Sequence, residues 1–199
     1  MQAFRHLGLR IPENTLNGWF KPACELLAPL YEELKNEVLS TDYIQVDETT
    51  LPVIDNNACQ AKKEYLWVVR SVMDRQVFFH YDDGSRSGRT AETLLRPFKG
   101  YLQSDGYNAY NAFEGNLVEN AIRPIALALS RKNFLFCGNH QAAKNTAIIC
   151  SLLASCKGAG INPREWLNYV IAKMPYYCQP RKTKNLKELL PAHWQPNKL

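Results

Sequence analysis

The sequence predicts an α/β fold, and three observations carry that prediction. Three strand-like runs follow one another closely in the first half of the chain, at residues 43–49, 64–72 and 76–81, each rich in Tyr, Val, Ile, Phe and Trp. A short helical stretch and a fourth strand-like run come next, giving the order β-β-β-α-β. Helical periodicity then dominates both flanks, and 199 residues with 46% hydrophobic and 22% charged content suffice to bury one sizeable core. A mixed sheet with flanking helices is the expected architecture.

The elements follow in order. Residues 11–19 suit a short helix, and a break near Pro22 separates it from a longer one over residues 22–40. There Leu26, Leu27, Leu30, Tyr31, Leu34 and Val38 share one face at helical spacing, opposite Glu25, Glu32, Glu33 and Lys35. Only Met73, Asp74 and Arg75 separate the second and third strand-like runs, so these form an antiparallel hairpin, and the polar stretch 55–63 makes a longer hairpin loop before them. After Asp82-Asp83-Gly84-Ser85, a helix over residues 87–95 crosses to a strand at 100–105, placing it parallel to the first strand. Helices are expected at 107–113, 118–129 and 142–157. A last one is introduced by Asn162, Pro163 and Glu165, a cap, a first-turn proline and an acid. The expected organisation is a helical lead-in at 1–41, a core at 42–178 and a loosely held basic, proline-containing tail at 179–199.

Composition narrows the function classes. No apolar run approaches the roughly 20 residues of a membrane span, and the opening residues lack a signal-peptide stretch, so a cytoplasmic protein is expected. Six cysteines include no C-x-x-C pair, and Cys137 with His140 lacks a second pair to finish a zinc site. Core packing is the expectation for these, as for Trp19, Trp67 and Trp166. A formal charge of +5 favours a polyanionic partner, because Lys and Arg release counterions on meeting phosphates.

Two acids stand where strands end: Asp47 in Val46-Asp47-Glu48-Thr49 and Asp105 in Ser104-Asp105-Gly106-Tyr107. If their strands are parallel neighbours, both carboxylates leave the same sheet edge, and carboxylates that close repel unless a divalent cation lies between them. Glu119, at the start of the helix expected over 118–129, would complete an all-oxygen site. The bland readings stay open on pattern alone: Asp105-Gly106 is a turn dipeptide, Asp47 suits a strand end, and Glu119 suits a helix N-terminus.

A resemblance bears on that choice. The segments Val46-Asp47-Glu48-Thr49, residues 100–107 (Gly-Tyr-Leu-Gln-Ser-Asp-Gly-Tyr), residues 119–124 (Glu-Asn-Ala-Ile-Arg-Pro) and residues 131–136 (Arg-Lys-Asn-Phe-Leu-Phe) resemble, in this order, the insertion sequence sixty-six transposase family. The likeness runs from about Phe4 to Leu190. It implies an RNase-H-like fold in which Asp47, Asp105 and Glu119 form an Asp-Asp-Glu triad. That triad would bind Mg²⁺, or Mn²⁺ in its place, and cleave and transfer DNA strands at the ends of a mobile element. Arg86, Arg89, Arg123, Arg131 and Lys132 are the expected contacts to DNA phosphates, and partners would be DNA, further copies of the chain and accessory transposition proteins.

The sequence also departs from that family's pattern. Members carry a long, mostly helical stretch between the second and third acids, whereas Asp105 and Glu119 stand 14 positions apart. The family's N-terminal zinc- and DNA-binding portion is expected to be missing as well. The expectation is therefore a truncated and internally deleted catalytic core that lacks its fifth strand. Three functions compete: an active transposase domain, an inactive remnant that binds DNA or full-length transposase, or an RNase-H-like nuclease that uses the same acids on a different substrate.

Overall fold

A computed structural model describes residues 12–55, 60–105, 110, 113, 116–119, 137–179 and 185–195. The elements are α1 (Glu13–Leu39), β1 (Tyr43–Asp55), β2 (Gln60–Ser71), β3 (Val77–His80), α2 (Gly88–Leu95), β4 (Tyr101–Ser104), β5 (Asn116–Glu119), α3 (His140–Gly158), α4 (Pro163–Tyr177) and a 3-10 turn, Leu186–Leu189. The strands form one mixed sheet in the order β3-β2-β1-β4-β5. Antiparallel pairs join β1 to β2 and β2 to β3, and parallel pairs join β1 to β4 and β4 to β5.

Strand alternation sorts the core onto two faces. Ile44 and Val46 of β1 and Trp67 and Val69 of β2 pack with Leu27, Leu30, Leu34 and Val38 of α1 and with Trp166 and Val170 of α4. Leu51, Val53, Leu66 and Val68 pack with Phe79 and with Ala143 and Ala147 of α3. Two serines of α3 meet the open edge of β3: Val77 N–H donates to Ser155 Oγ at 3.1 Å and Phe79 N–H to Ser151 Oγ at 2.7 Å. A buried edge strand must find partners for its outward main chain, and these hydroxyls provide them.

Several expectations are corrected. The two helices anticipated before residue 40 are one, since α1 runs through both Pro22 and Pro29. Its apolar face continues past the prolines from Cys24 to Val38, and that burial outweighs the hydrogen bonds a proline removes. The strands β1 and β2 extend far into the loop expected at 55–63, pairing up to Asp55 with Gln60. Pro52 is tolerated because its carbonyl accepts the Cys137 N–H at 2.8 Å while its missing N–H lies in a position the ladder does without. A fifth strand is present: Asn116–Glu119 pairs in parallel register with β4, so the chain does not lack it, and residues 118–119 are strand where a helix was expected. Pairing satisfies the outer edge of β4, which a helix there would leave open. The tail is not loose throughout, for Leu189 and Leu190 are buried and Trp166 Nε1–H donates to the Leu189 carbonyl at 3.0 Å. Trp67 and Trp166 are buried as expected, whereas Trp19 is 56% exposed. Cys137 is buried in the core and His140 Nδ1 bonds the Tyr81 hydroxyl at 2.8 Å. The expected helix at 107–113 falls largely outside the described residues.

Candidate metal centre

The β1–β4 register sets the geometry of the acids. Gln45 pairs with Gln103, so two residues further the parallel strands carry Asp47 alongside Asp105. Asp105 stands just past the end of β4 as expected, whereas Asp47 lies inside β1, whose antiparallel ladder with β2 carries the strand on to Asp55. Gly100 permits this approach: Tyr101 N–H donates to the Asp42 carbonyl at 2.7 Å, and a Cβ at Gly100 would stand only 2.2 Å from that oxygen. The carboxylates of Asp47 and Asp105, joined by that of Glu48, lie within 4.8 Å of one another. Sequence reasoning missed Glu48, because neighbours on a strand normally face opposite ways.

The local hydrogen bonds explain how neighbouring acids share one site. Asp47 folds its carboxylate back along the strand, where Oδ1 accepts the N–H of Glu48 at 2.8 Å. Glu48 has a side chain only 1% exposed. Its Oε1 accepts a hydrogen bond from the Tyr110 hydroxyl at 2.8 Å, and Oε2 faces Arg86 Nη2 at 3.5 Å. Arg86 in turn lies over the ring of Tyr65, 5.2 Å from its centroid. The loop bearing Arg86 is fixed from both sides. Trp67 Nε1–H donates to the Ser85 carbonyl at 3.0 Å. Gly84, at φ +81°, lies so close to Glu64 that a side chain would collide with its carboxylate.

Electrostatics follow from burial. Asp47 is held above the usual carboxylate range chiefly by desolvation and further by Asp105, while the Glu48 N–H and Arg86 pull it down. Glu48 is likewise raised by desolvation, against the Tyr110 bond and Arg86, with Asp105 and Asp47 adding to the rise. Tyr110 is raised too, by burial first and then by Glu48, so it remains a hydroxyl donor. Crowded, partly dehydrated carboxylates of this kind are relieved by a hard divalent cation.

The remaining expected site residues are placed as follows. Glu119 is the last residue of β5, its main chain in register with Ser104, one residue before Asp105. Arg86 comes to the acids. Arg89 is exposed and lines a groove of about 600 Å³ between α1 and α2, with Lys35, His80 and Asp82. Arg123, Arg131 and Lys132 lie outside the described residues. Among the described residues no helix is long and apolar enough to cross a membrane.

Comparison with known proteins finds the family that the motifs resemble, in two blocks. Residues 1–115 match the profile described as Transposase IS66 family, and residues 151–192 match the IS66 C-terminal element. Protein y4jD of Sinorhizobium fredii, described as uncharacterized, is 31% identical over 156 residues, which are 74% of this chain and 29% of that protein. Protein y4qI of the same organism, also described as uncharacterized, is 31% identical over 84 residues, 42% of this chain and 15% of that one. The chain thus spans less than a third of the length of the curated relatives it matches. Asp47, Glu48, Arg86, Asp105 and Tyr110 all fall inside the first matched block, while Glu119 falls between the two.

Proposed function

We propose, from the premise that this chain belongs to the Transposase IS66 family, that it is the DNA-cutting core of a transposase, acting on phosphodiesters with divalent metal. The observation that carries this reading is the meeting of Asp47 and Asp105, delivered in register by adjacent parallel strands, in one carboxylate cluster. The strand order with an antiparallel second strand and parallel fourth and fifth supports an RNase-H-like reading of the fold.

The donor set fits Mg²⁺ or Mn²⁺, which take carboxylate oxygens and keep waters, and the raised Asp47 and Glu48 mark a site that a cation would stabilise. When bound, such an ion activates the attacking oxygen and stabilises the leaving oxygen of the phosphodiester. Asp47 and Asp105 would hold it, and Glu119 is the third carboxylate in this reading. Water, and later a DNA 3′-hydroxyl, forms the new bond to phosphorus as the old ester bond breaks, so no side chain need be covalently modified. Arg86, which lies beside the acids, is proposed to contact the phosphate. Arg89, Arg123, Arg131 and Lys132 are proposed to anchor the DNA backbone without reading its sequence. Further copies of the chain and accessory transposition proteins are the other proposed partners.

A second reading, an inactive remnant that binds DNA or full-length transposase, is favoured by one observation. Glu119 stands outside both matched blocks, whereas Asp47 and Asp105 stand inside the first. Calorimetric titration with Mg²⁺ or Mn²⁺ and cleavage of labelled DNA, run on the parent and on an Asp47→Asn, Asp105→Asn double variant, separate the two. Binding and cutting that both vanish in the variant support the active domain. Cation binding without cutting, or neither, supports the remnant, and equal cation binding by parent and variant removes the reading of Asp47 and Asp105 as a metal site.

A further inference from the structure

We infer that Glu48 and Tyr110 form a positioning pair that orients the Asp47 carboxylate toward Asp105, an inference that rests on the metal-centre reading above. Glu48 follows Asp47 on β1, and Tyr110 lies five residues past Asp105, beyond the end of β4. The hydrogen bond from the Tyr110 hydroxyl to Glu48 Oε1, at 2.8 Å, therefore ties together the two chain segments that carry the acids.

The anchor at each end is buried. The ring of Tyr110 is 1% exposed and meets buried Trp67 edge-on, with centroids 6.1 Å apart. Glu48 pairs with Trp67 across the β1–β2 ladder, so the carboxylate, the phenol and the indole converge on one point of the sheet. Fixing Glu48 also fixes its main-chain N–H, the donor that turns the Asp47 carboxylate toward the shared site. Burial explains why an acid is used here. A carboxylate 1% exposed is costly unless it is bonded and paired; here Tyr110 bonds Oε1, while buried Oε2 has the Arg86 charge 3.5 Å away and no hydrogen bond among the described residues.

In this arrangement Glu48 acts through Asp47 and is not itself a ligand. Partners that orient ligands in this way typically carry about ten- to a hundredfold in metal affinity.

The test is Tyr110→Phe, which keeps the ring against Trp67 and removes only the hydroxyl. Expected is a loss of about tenfold in Mn²⁺ affinity by calorimetry, with an unchanged binding stoichiometry. Unchanged affinity overturns the inference. A crystal structure of the parent with Mn²⁺ is expected to show Glu48 still on Tyr110, and a Glu48 oxygen directly on the ion overturns the positioning role in favour of ligation. If the parent binds no Mn²⁺, the metal-centre reading fails by itself. Amide hydrogen exchange at Glu48 in the metal-free protein then decides: faster exchange in Tyr110→Phe upholds the positioning of Asp47, and equal rates overturn it.

Discussion

Replacing Asp47 by Asn should make the metal-free protein more stable and abolish its stabilisation by Mg²⁺. Asn preserves the oxygen that accepts the Glu48 N–H and removes only the charge. Two unit charges separated by the 4.8 Å bound of this cluster repel by about 3.5 kcal/mol at an effective dielectric of 20. Asp47 faces two such partners, Glu48 and Asp105. The loss of attraction to Arg86 opposes the gain, and water around exposed Asp105 screens it. A net gain of roughly 1.5 kcal/mol is expected after that discount, or about 3–6 °C in Tm for a chain of this size. Mg²⁺ at about a hundred times its Kd should add about 2.7 kcal/mol to the parent and close to nothing to the variant. Thermal unfolding in EDTA and in Mg²⁺ measures both effects. A variant less stable than the parent in EDTA, or one that gains as much from Mg²⁺, would refute the argument that these carboxylates are crowded around a cation site.

Further outcomes follow from the same structure. Because Asp47 and Glu48 are raised above ordinary carboxylates in the folded state, the native protein binds more protons than the unfolded chain just above about pH 4. Their contribution is therefore fully present below the unfolded value and lost as pH rises through the folded one; urea unfolding of the metal-free protein across that window should show it, with a shallower slope in Asp47→Asn. Ser155→Ala strands the buried Val77 main chain at the sheet edge and should cost about 1–3 kcal/mol by denaturant unfolding. Trp166→Phe removes the donor to the Leu189 carbonyl and should cost about 1–2 kcal/mol, with the segment 185–195 becoming the earliest site of limited proteolysis.

Much of the sheet is legible in the chain because its signals are local. The short turn at Met73-Asp74-Arg75 dictates the β2–β3 hairpin, and Asn162-Pro163 with Glu165 marks the start of α4, where Asn162 Oδ1 indeed accepts the Arg164 N–H. The fifth strand and the single long α1 were not legible. Residues 116–119 become strand only because β4 offers an unpaired edge, and α1 continues through Pro22 because its buried face has the sheet beneath it. Local propensity is weaker than either long-range effect.

The site divides in the same way. The sequence by itself determined that Asp47 belongs to the first strand and Asp105 to the end of the fourth strand of a crossover unit, and that Arg86 follows the third strand in a polar turn, since each depends on neighbours a few residues away. Only the tertiary structure decided that Glu48 joins the acids, that Tyr110 grips it and that β5 brings the main chain of Glu119 into register with Ser104. Strand alternation assigns Glu48 to the opposite face, and nothing in a linear pattern announces that a folded-back aspartate and a buried tyrosine will bring that carboxylate to the edge. Such convergence depends on register between strands more than fifty residues apart, which the packed core fixes as a whole.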